Sequence, residues 1–272
     1  MKITTNLRKM RTTLDGTAQY TLPIVDILDY TGTYFMNPLV GERIELQFEN
    51  EIHCVETGKK IKKTFGEGMS YEAFMTSPSA SPSIVRPELS RIHEGIALRD
   101  AAWEEEHHNK PHLVYLSRTS DIKVGVTRTG NVPSRWIDQG ASEAIILAET
   151  PYRQLAGLIE VALKDHMADK TNWQAMLKNL SNDHTPLDVK KNQVLDFLPE
   201  EYHDFVFDSD EVTKINYPVL NYPLKVKSLK LDTTPLYQGK LMGIKGQYLI
   251  FEDGTVFNVR SHAGYKMSLT LL

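Results

Sequence analysis

Cys54 is the only cysteine in 272 residues. An intramolecular disulfide is excluded, and with it the stapled small domains of the secretory route, so a cytoplasmic setting is expected. No apolar run reaches the ~18–20 residues that a membrane-crossing helix needs, and no membrane partner is expected. The opening MKITTNLRKMRTTLDG carries positive charge without an apolar core, and does not read as a signal peptide. Neither an internal repeat nor a low-complexity tract is present, which leaves solenoids and propellers aside. Net charge is only −4, so any role on nucleic acid requires a local basic surface rather than the whole protein. The remaining composition, 41% hydrophobic and 24% charged, is that of a globular chain long enough for one to three compact units.

What is present divides by pattern. Tyr20–Val25 and Arg43–Phe48 carry strand-like alternation, with Gly32, Pro38, Gly41 and Gly58 as punctuation. MTSPSASPSIVRP, from Met75 to Pro87, reads as an irregular connector. Leu89–Asn109 reads as a surface helix, or a pair of turns broken near Gly95. A hairpin follows over His112–Arg128, turning at Thr119-Ser120-Asp121, and a short helix starts near Pro133, whose fixed φ suits a first helical turn. Then come a strand over Glu143–Ala148 and a helix over Tyr152–His166. In that helix Leu155, Leu158, Ile159, Ala162 and Leu163 form one apolar face. A last helix covers Asn172–Leu177. Beyond Pro199 short alternating strands separated by Gly239, Gly243, Gly246, Gly254 and Gly264 predict a small antiparallel barrel or meander. The expected fold is α+β: a β-rich segment over 1–109, an α/β domain over 110–182 with the order β-β-α-β-α-α, and a β unit over 183–272. Whether the two β-rich segments pack as one unit is left open by the pattern.

Between His112 and Glu160 the order of chemical groups resembles the GIY-YIG nuclease superfamily. The carrying residues are VYL, then IKVGVT, then Arg135 on a helix, then Glu160 within GLIEVALK. The resemblance spans roughly Pro111–Leu180. KVGVTR, RWIDQGA, AGLIEVALK and DKTNWQAML are more specifically similar to the bacterial and archaeal family catalogued as domain of unknown function 2797. That similarity extends outward through RPELSRIHEG and GIKGQYLIF. The superfamily resemblance places Tyr115, Lys123, Arg135 and Glu160 as catalytic residues, with Glu160 holding the metal ion, Mg²⁺ or Mn²⁺. Gly125, Arg128, Lys170 and Asn172 are placed as substrate contacts, and the partner implied is DNA or RNA. Lys123 stands where tyrosine is usual, so a two-tyrosine mechanism does not carry over.

The chemistry is intelligible without the resemblance. Cleaving a phosphodiester calls for charge neutralisation, a metal ion and an oriented water. Arg135 can grip two phosphate oxygens, and Glu160 can hold a Mg²⁺ that keeps most of its waters. Tyr115 can orient the water, and Lys123 can contact phosphate or act as a base. Taken singly, each residue has an ordinary reading. Tyr115 is a core tyrosine, Lys123 faces solvent, Arg135 pairs with Asp138, and Glu160 pairs with Lys164 at i,i+4. Only their joint order points to a site.

Two other groups bear on metal binding. His93, His107, His108 and His112, among Glu104, Glu105 and Glu106, fit no compact ligand set and read as surface residues. Cys54 and Thr57, with Ser70 and Ala73, have the two-residue gaps of a zinc ribbon's knuckles. Three of the four thiol positions are not cysteine, so no zinc is expected, and Cys54 reads as a buried small hydrophobe. Basic clusters at Lys59, Lys60, Lys62 and Lys63, at Lys123, Arg128 and Arg135, and at Lys225, Lys227 and Lys230 suit a polyanion partner. The expected function is nucleic-acid binding, with metal-dependent cleavage as one outcome. A binding module without catalysis, or a protein-interaction protein, is the alternative.

Overall fold

Alternating apolar and polar residues make strands of most of the first sixty positions. These are β1 (Lys2–Asn6), β2 (Arg11–Asp15), β3 (Thr17–Asp26), β4 (Asp29–Phe35), β5 (Arg43–His53) and β6 (Lys60–Ile61). Helical turns follow: α1 (Tyr71–Thr76), a 3₁₀ turn at Pro78–Ala80, α2 (Pro82–Val85), and 3₁₀ turns at Pro87–Leu89 and Ile92–Glu94. The chain continues through α3 (Ala101–His108), β7 (His112–Arg118), β8 (Ile122–Arg128), α4 (Ser134–Asp138), β9 (Glu143–Thr150), α5 (Arg153–Lys164), α6 (Trp173–Leu177) and α7 (Leu187–Leu195). It ends with β10 (Val212–Lys214), β11 (Lys227–Ser228), β12 (Leu236–Lys245), β13 (Tyr248–Phe251), β14 (Thr255–Asn258) and β15 (Tyr265–Leu271). This computed structural model describes residues 1–167 and 171–272. The described chain is α+β.

Two compact units emerge. Unit 1 comprises residues 1–75, 137–140 and 216–272; unit 2 comprises 76–136 and 141–215. In unit 1 the strand order is β1-β15-β5-β12-β13-β14-β11, with β6 also on β5, beside a second sheet β2-β3-β4. The first and last strands pair directly, Lys2 opposite Thr270 and Ile3 opposite Leu269. Strands from both β-rich segments therefore share one sheet. Among the described residues the pairing ends at β1 and β11 without closing, so β12, β13 and β14 form a meander within an open sheet. Tyr20, Leu22, Ile44, Leu46, Phe251 and Phe257 are fully buried in its core.

Unit 2 is built on the sheet β10-β9-β7-β8. All seven residues of β7 are buried, as expected of an inner strand covered on both faces. Val114 and Leu116 join Ile122, Val126, Ile145 and Leu147 in one core with Ile159 and Leu163 of α5 and Val194 of α7. Burying about ten such aliphatic side chains, at roughly 1.5–3 kcal/mol each, is what holds α5 and α7 on the sheet. The apolar face of α5 differs from the sequence reading. Leu155, Ala156, Gly157, Ile159 and Leu163 are buried, whereas Leu158 is exposed and Ala162 is half-buried. Ala156 packs into the sheet core, and Gly157 extends the buried stripe because another segment lies directly on it.

That segment is the supposed connector. Pro78, Pro82 and Pro87 each open a short helical turn instead of breaking structure. Proline at a first helical position wastes no hydrogen bond and already has the right φ, so the same Ser/Pro signal serves for helix starts as for loops.

Candidate functional site: a charged cleft at the edge of the unit 2 sheet

Strand β8 is the last strand of its sheet, and its side chains alternate. Ile122, Val124 and Val126 pack toward the core cluster, so Lys123 and Gly125 emerge on the other face. Gly125 lies directly opposite Tyr115, and a Cβ at residue 125 would stand 2.7 Å from the tyrosine Oη. The absent side chain is filled by the Tyr115 ring, which is fully buried. Edge-to-face packing at 6.0 Å joins that ring to Trp136, the neighbour of Arg135 on α4. Tyr115 thus links the hairpin to the helix that carries Arg135.

Helix α5 supplies the carboxylate. Glu160 lies one residue beyond Ile159, off the buried stripe, and lines a cleft of about 600 Å³ with Val85, Arg86, Glu88, Val124 and Lys164. Its carboxyl is pushed above the ordinary carboxylate range, first by burial; Arg153 opposes the shift, Glu88 adds to it, and Lys164 and Arg135 oppose it. Lys123 is pulled down to about 8, mainly by burial and further by Arg135, while Glu160 works against the shift. Arg153 is pulled down to about 10, mainly by burial, with Glu160 opposing and Arg135 and Arg128 adding to the effect. Lys123, Arg135, Arg153 and Glu160 are therefore one electrostatically coupled group, partly withdrawn from water.

The 82–89 segment completes the cleft. Arg153 donates from Nε to the Ser83 carbonyl at 2.9 Å and from Nη2 to the Ile84 carbonyl at 3.0 Å. Gln154 donates to the Glu88 carbonyl at 3.3 Å. Gly157 lets the Pro87–Leu89 turn seat directly on α5, since a Cβ there would lie 2.2 Å from the Glu88 backbone nitrogen. Glu88 is thereby delivered to the cleft that Glu160 lines, with Arg86 on its Oε1 at 3.0 Å.

Lys123, Arg135 and Glu160 lie near enough to act on one another electrostatically, Glu160 being the one of the three that lines the cleft, while Tyr115 is buried against Trp136 of Arg135's helix. Arg128 belongs to the same positive region, acting on Arg153 and on His112. Asn172 caps α6, its Oδ1 accepting from Gln174 N at 3.1 Å and Ala175 N at 3.2 Å. Lys170 lies outside the described residues. Glu88, Arg86 and Arg153 were missed by sequence reasoning. For Arg153 a signal existed, because a residue seven before Glu160 shares its helix face. For Glu88 there was none beyond RPELSRIHEG itself.

The histidines correct the surface reading. His108 and His112 are buried. His108 Nδ1 lies 3.1 Å from Ser90 Oγ, and His112 Nδ1 donates to the Lys110 carbonyl at 2.7 Å. Burial takes His108 down to about 3 and His112 to about 4, so both are neutral at physiological pH. In unit 1, Cys54 is buried, and its Sγ accepts from Ser70 N at 3.1 Å. Burial alone would raise the thiol, but hydrogen bonds from Thr57, Ser70 and Glu56 outweigh it and bring it to about 7. Among the described residues no group of three or more His, Cys, Asp or Glu side chains gathers as for a metal ion. No helix among them is long and apolar enough to cross a membrane.

Fold and site together define an α+β protein of two units, one of which carries a coupled cationic and acidic cleft at a sheet edge. The chain belongs to the family described as protein of unknown function DUF2797, whose model matches residues 41–267. No curated protein and no solved structure matches it.

Proposed function

We propose that unit 2 is a GIY-YIG-like phosphodiester-handling domain that binds DNA or RNA at the Lys123–Arg135–Glu160 cleft and cuts it with a divalent ion. The observation that carries this reading is the solvent-open cleft that Glu160 lines with Glu88, Arg86 and Lys164, with Lys123, Arg135 and Arg153 near enough to act electrostatically on the same carboxylate. The order β7, β8, α4, β9, α5, α6 supports it, being strand-strand-helix-strand-helix-helix.

The residues divide the work. Arg135 presents a planar guanidinium to the non-bridging phosphate oxygens. Arg153, with two nitrogens committed to the Ser83 and Ile84 carbonyls, ties that turn to α5 and adds positive charge, while Gln154 bonds the Glu88 carbonyl. Lys123 Nζ, near 8, holds a phosphate oxygen when charged, and takes a proton from an approaching water when neutral. Tyr115 positions Arg135 through Trp136. The donor set suits Mg²⁺ or Mn²⁺. Glu88 disfavours the charge of Glu160 across the cleft, and a divalent cation there would relieve that repulsion. Held by Glu160 with Glu88, the ion would supply charge neutralisation at the phosphate.

A second reading, binding without cleavage, is favoured by the complete burial of Tyr115, which removes it from any water at the phosphate. One experiment separates the two. Labelled single-stranded, double-stranded and branched DNA and RNA are incubated with the protein, with and without Mg²⁺ or Mn²⁺, beside Glu160→Ala. Metal-dependent cutting lost in the variant supports the nuclease. Salt-sensitive binding that survives the substitution, without cutting, supports the module. An absence of binding at low salt overturns both.

A further inference from the structure

Unit 1 has a cleft of its own, of about 340 Å³, whose lining includes Arg8, Lys9, Arg11 and Arg260 against one carboxylate, Glu67. Four cations converge there in a chain whose net charge is −4. Two of them are already compensated: Lys9 pairs with Asp138 at 2.5 Å, and Arg260 pairs with Glu67. The other two make no ion pair among the described residues. Arg8 donates to three backbone carbonyls, of Asn6 at 3.3 Å, Leu7 at 3.1 Å and Ile27 at 2.8 Å. Burial lowers its pKa, with Cys54 and Glu56 opposing, so a fixed positive charge is held partly out of water. Arg11 lies over the ring of Tyr30 at 4.8 Å from its centroid and donates to the Tyr30 Oη at 3.3 Å.

Tyr30 is 51% exposed, although its ring carries a guanidinium. It is the second residue of an edge strand, β4, next to a turn that presents Ile27 and Leu28 to solvent. Ile27 adopts φ 57°, a conformation that a β-branched residue rarely holds. Its amide is tied to Asn6 Oδ1 at 2.9 Å, and its carbonyl is tied to Arg8. The turn is thus fixed in an unfavourable backbone by the same bonds that fix Arg8, an arrangement that concentrates at ligand sites.

We propose that this cleft is a second polyanion site, which takes the backbone of single-stranded nucleic acid. Arg8 and Arg11 hold phosphate, and the ring face of Tyr30 not covered by Arg11 stacks a base. A guanidinium-backed aromatic beside uncompensated cations is the pairing that sequence-tolerant strand binding uses. The cleft has room for on the order of one nucleotide. The choice of nucleic acid among polyanions rests on reading the unit 2 cleft as a phosphodiester site.

The test uses the full chain in EDTA, with fluorescein-labelled oligothymidylate of twelve nucleotides followed by anisotropy over a range of salt. Arg11 and Tyr30 are exposed, so neither substitution threatens the fold, and thermal melts verify this. Arg11→Glu is expected to weaken binding by about tenfold or more and to lower the log–log salt slope by about 1. Tyr30→Ala is expected to weaken binding by roughly tenfold with the slope unchanged. Wild-type affinity unchanged in both variants overturns the proposal. So does displacement of the oligonucleotide by polyglutamate as effectively as by unlabelled oligothymidylate, which would mark an acidic-peptide site. Sedimentation with phosphatidylserine vesicles that Arg11→Glu and Tyr30→Ala abolish while leaving oligonucleotide affinity intact overturns it in favour of a membrane surface. Metal-dependent cleavage, read separately with Glu160→Ala, keeps a failure here distinct from a failure of the unit 2 reading.

Discussion

Gly157→Ala sets two physical effects against each other with opposite signs. Glycine inside a helix costs about 1 kcal/mol relative to alanine, so propensity alone makes Gly157→Ala stabilising by that amount. The packing says otherwise. The new Cβ would stand 2.2 Å from Glu88 N, 2.6 Å from the Pro87 carbonyl carbon and 2.8 Å from Pro87 Cβ. Two of these are backbone atoms, so the Pro87–Leu89 turn must retreat by about 1 Å. Such overpacking typically costs ~1–3 kcal/mol. Retreat also stretches the bonds from Arg153 and Gln154, each worth about 1 kcal/mol. The net expectation is destabilisation by about 1–3 kcal/mol, read as a lowered urea midpoint for unit 2. Gly130→Ala is the control: nothing lies within 4 Å of its Cβ position, and a change within about 0.5 kcal/mol is expected there. A carbon-13 titration adds a second readout. With the turn displaced, Glu160 loses burial and Glu88's repulsion, and its pKa falls toward the ordinary value. A variant as stable as wild type, or more so, would refute the claim that α5 and this turn are seated on Gly157.

Two further predictions concern pH. Lys123 has a folded pKa of about 8, below its ordinary 10.5, so its charge is lost as pH rises through that value. Oligonucleotide affinity is expected to weaken across this interval, and Lys123→Arg should remove the inflection; a pH-independent affinity in the wild type would contradict a phosphate contact by Lys123. In unit 1, Lys245 is buried, with Nζ 5.2 Å from the ring centroids of both Tyr217 and Tyr222, and burial brings it down to about 8. Between that value and 10.5 the unfolded chain binds the extra proton, so stability rises with pH, by about 2 kcal/mol from roughly pH 7.5 to 9.5. Lys123, lowered to the same value, adds a rise of its own, so urea titrations at the two pH values should show a rise in Lys245→Met that is smaller than the wild type's by about that amount.

The β7–β8 hairpin and α5 were legible because their signals are local: period-two alternation, a three-residue turn, an apolar stripe with a 3.6-residue period. The sheet of unit 1 was not. Pairing Lys2 with Thr270 joins residues 268 positions apart, and nothing in either strand's own pattern names its partner. Leu158 was assigned to the buried face because it fits the helical period. Yet the segment covering α5 selects Gly157, whose small size matters more than hydrophobicity. The site was half legible. Tyr115, Lys123, Arg135 and Glu160 come from elements with clear patterns. Glu88 comes from a proline-rich stretch whose helical turns look like loop in sequence, and Arg153 shows its importance only once that stretch is seen lying on it. His108 and His112 were misjudged because buried neutral imidazoles with local hydrogen bonds leave no compositional trace.

The central claim is that phosphodiester is gripped at the Lys123–Arg135–Glu160 cleft. It is tested most directly by titrating the nitrogen-15-labelled protein with the dinucleotide dTpdT and following side-chain and backbone resonances. The account predicts that the Arg135 Nε–Hε signal and the amides of Gly125 and Val161 shift in a saturable, salt-sensitive way. Stationary signals at these three positions while others respond would contradict it.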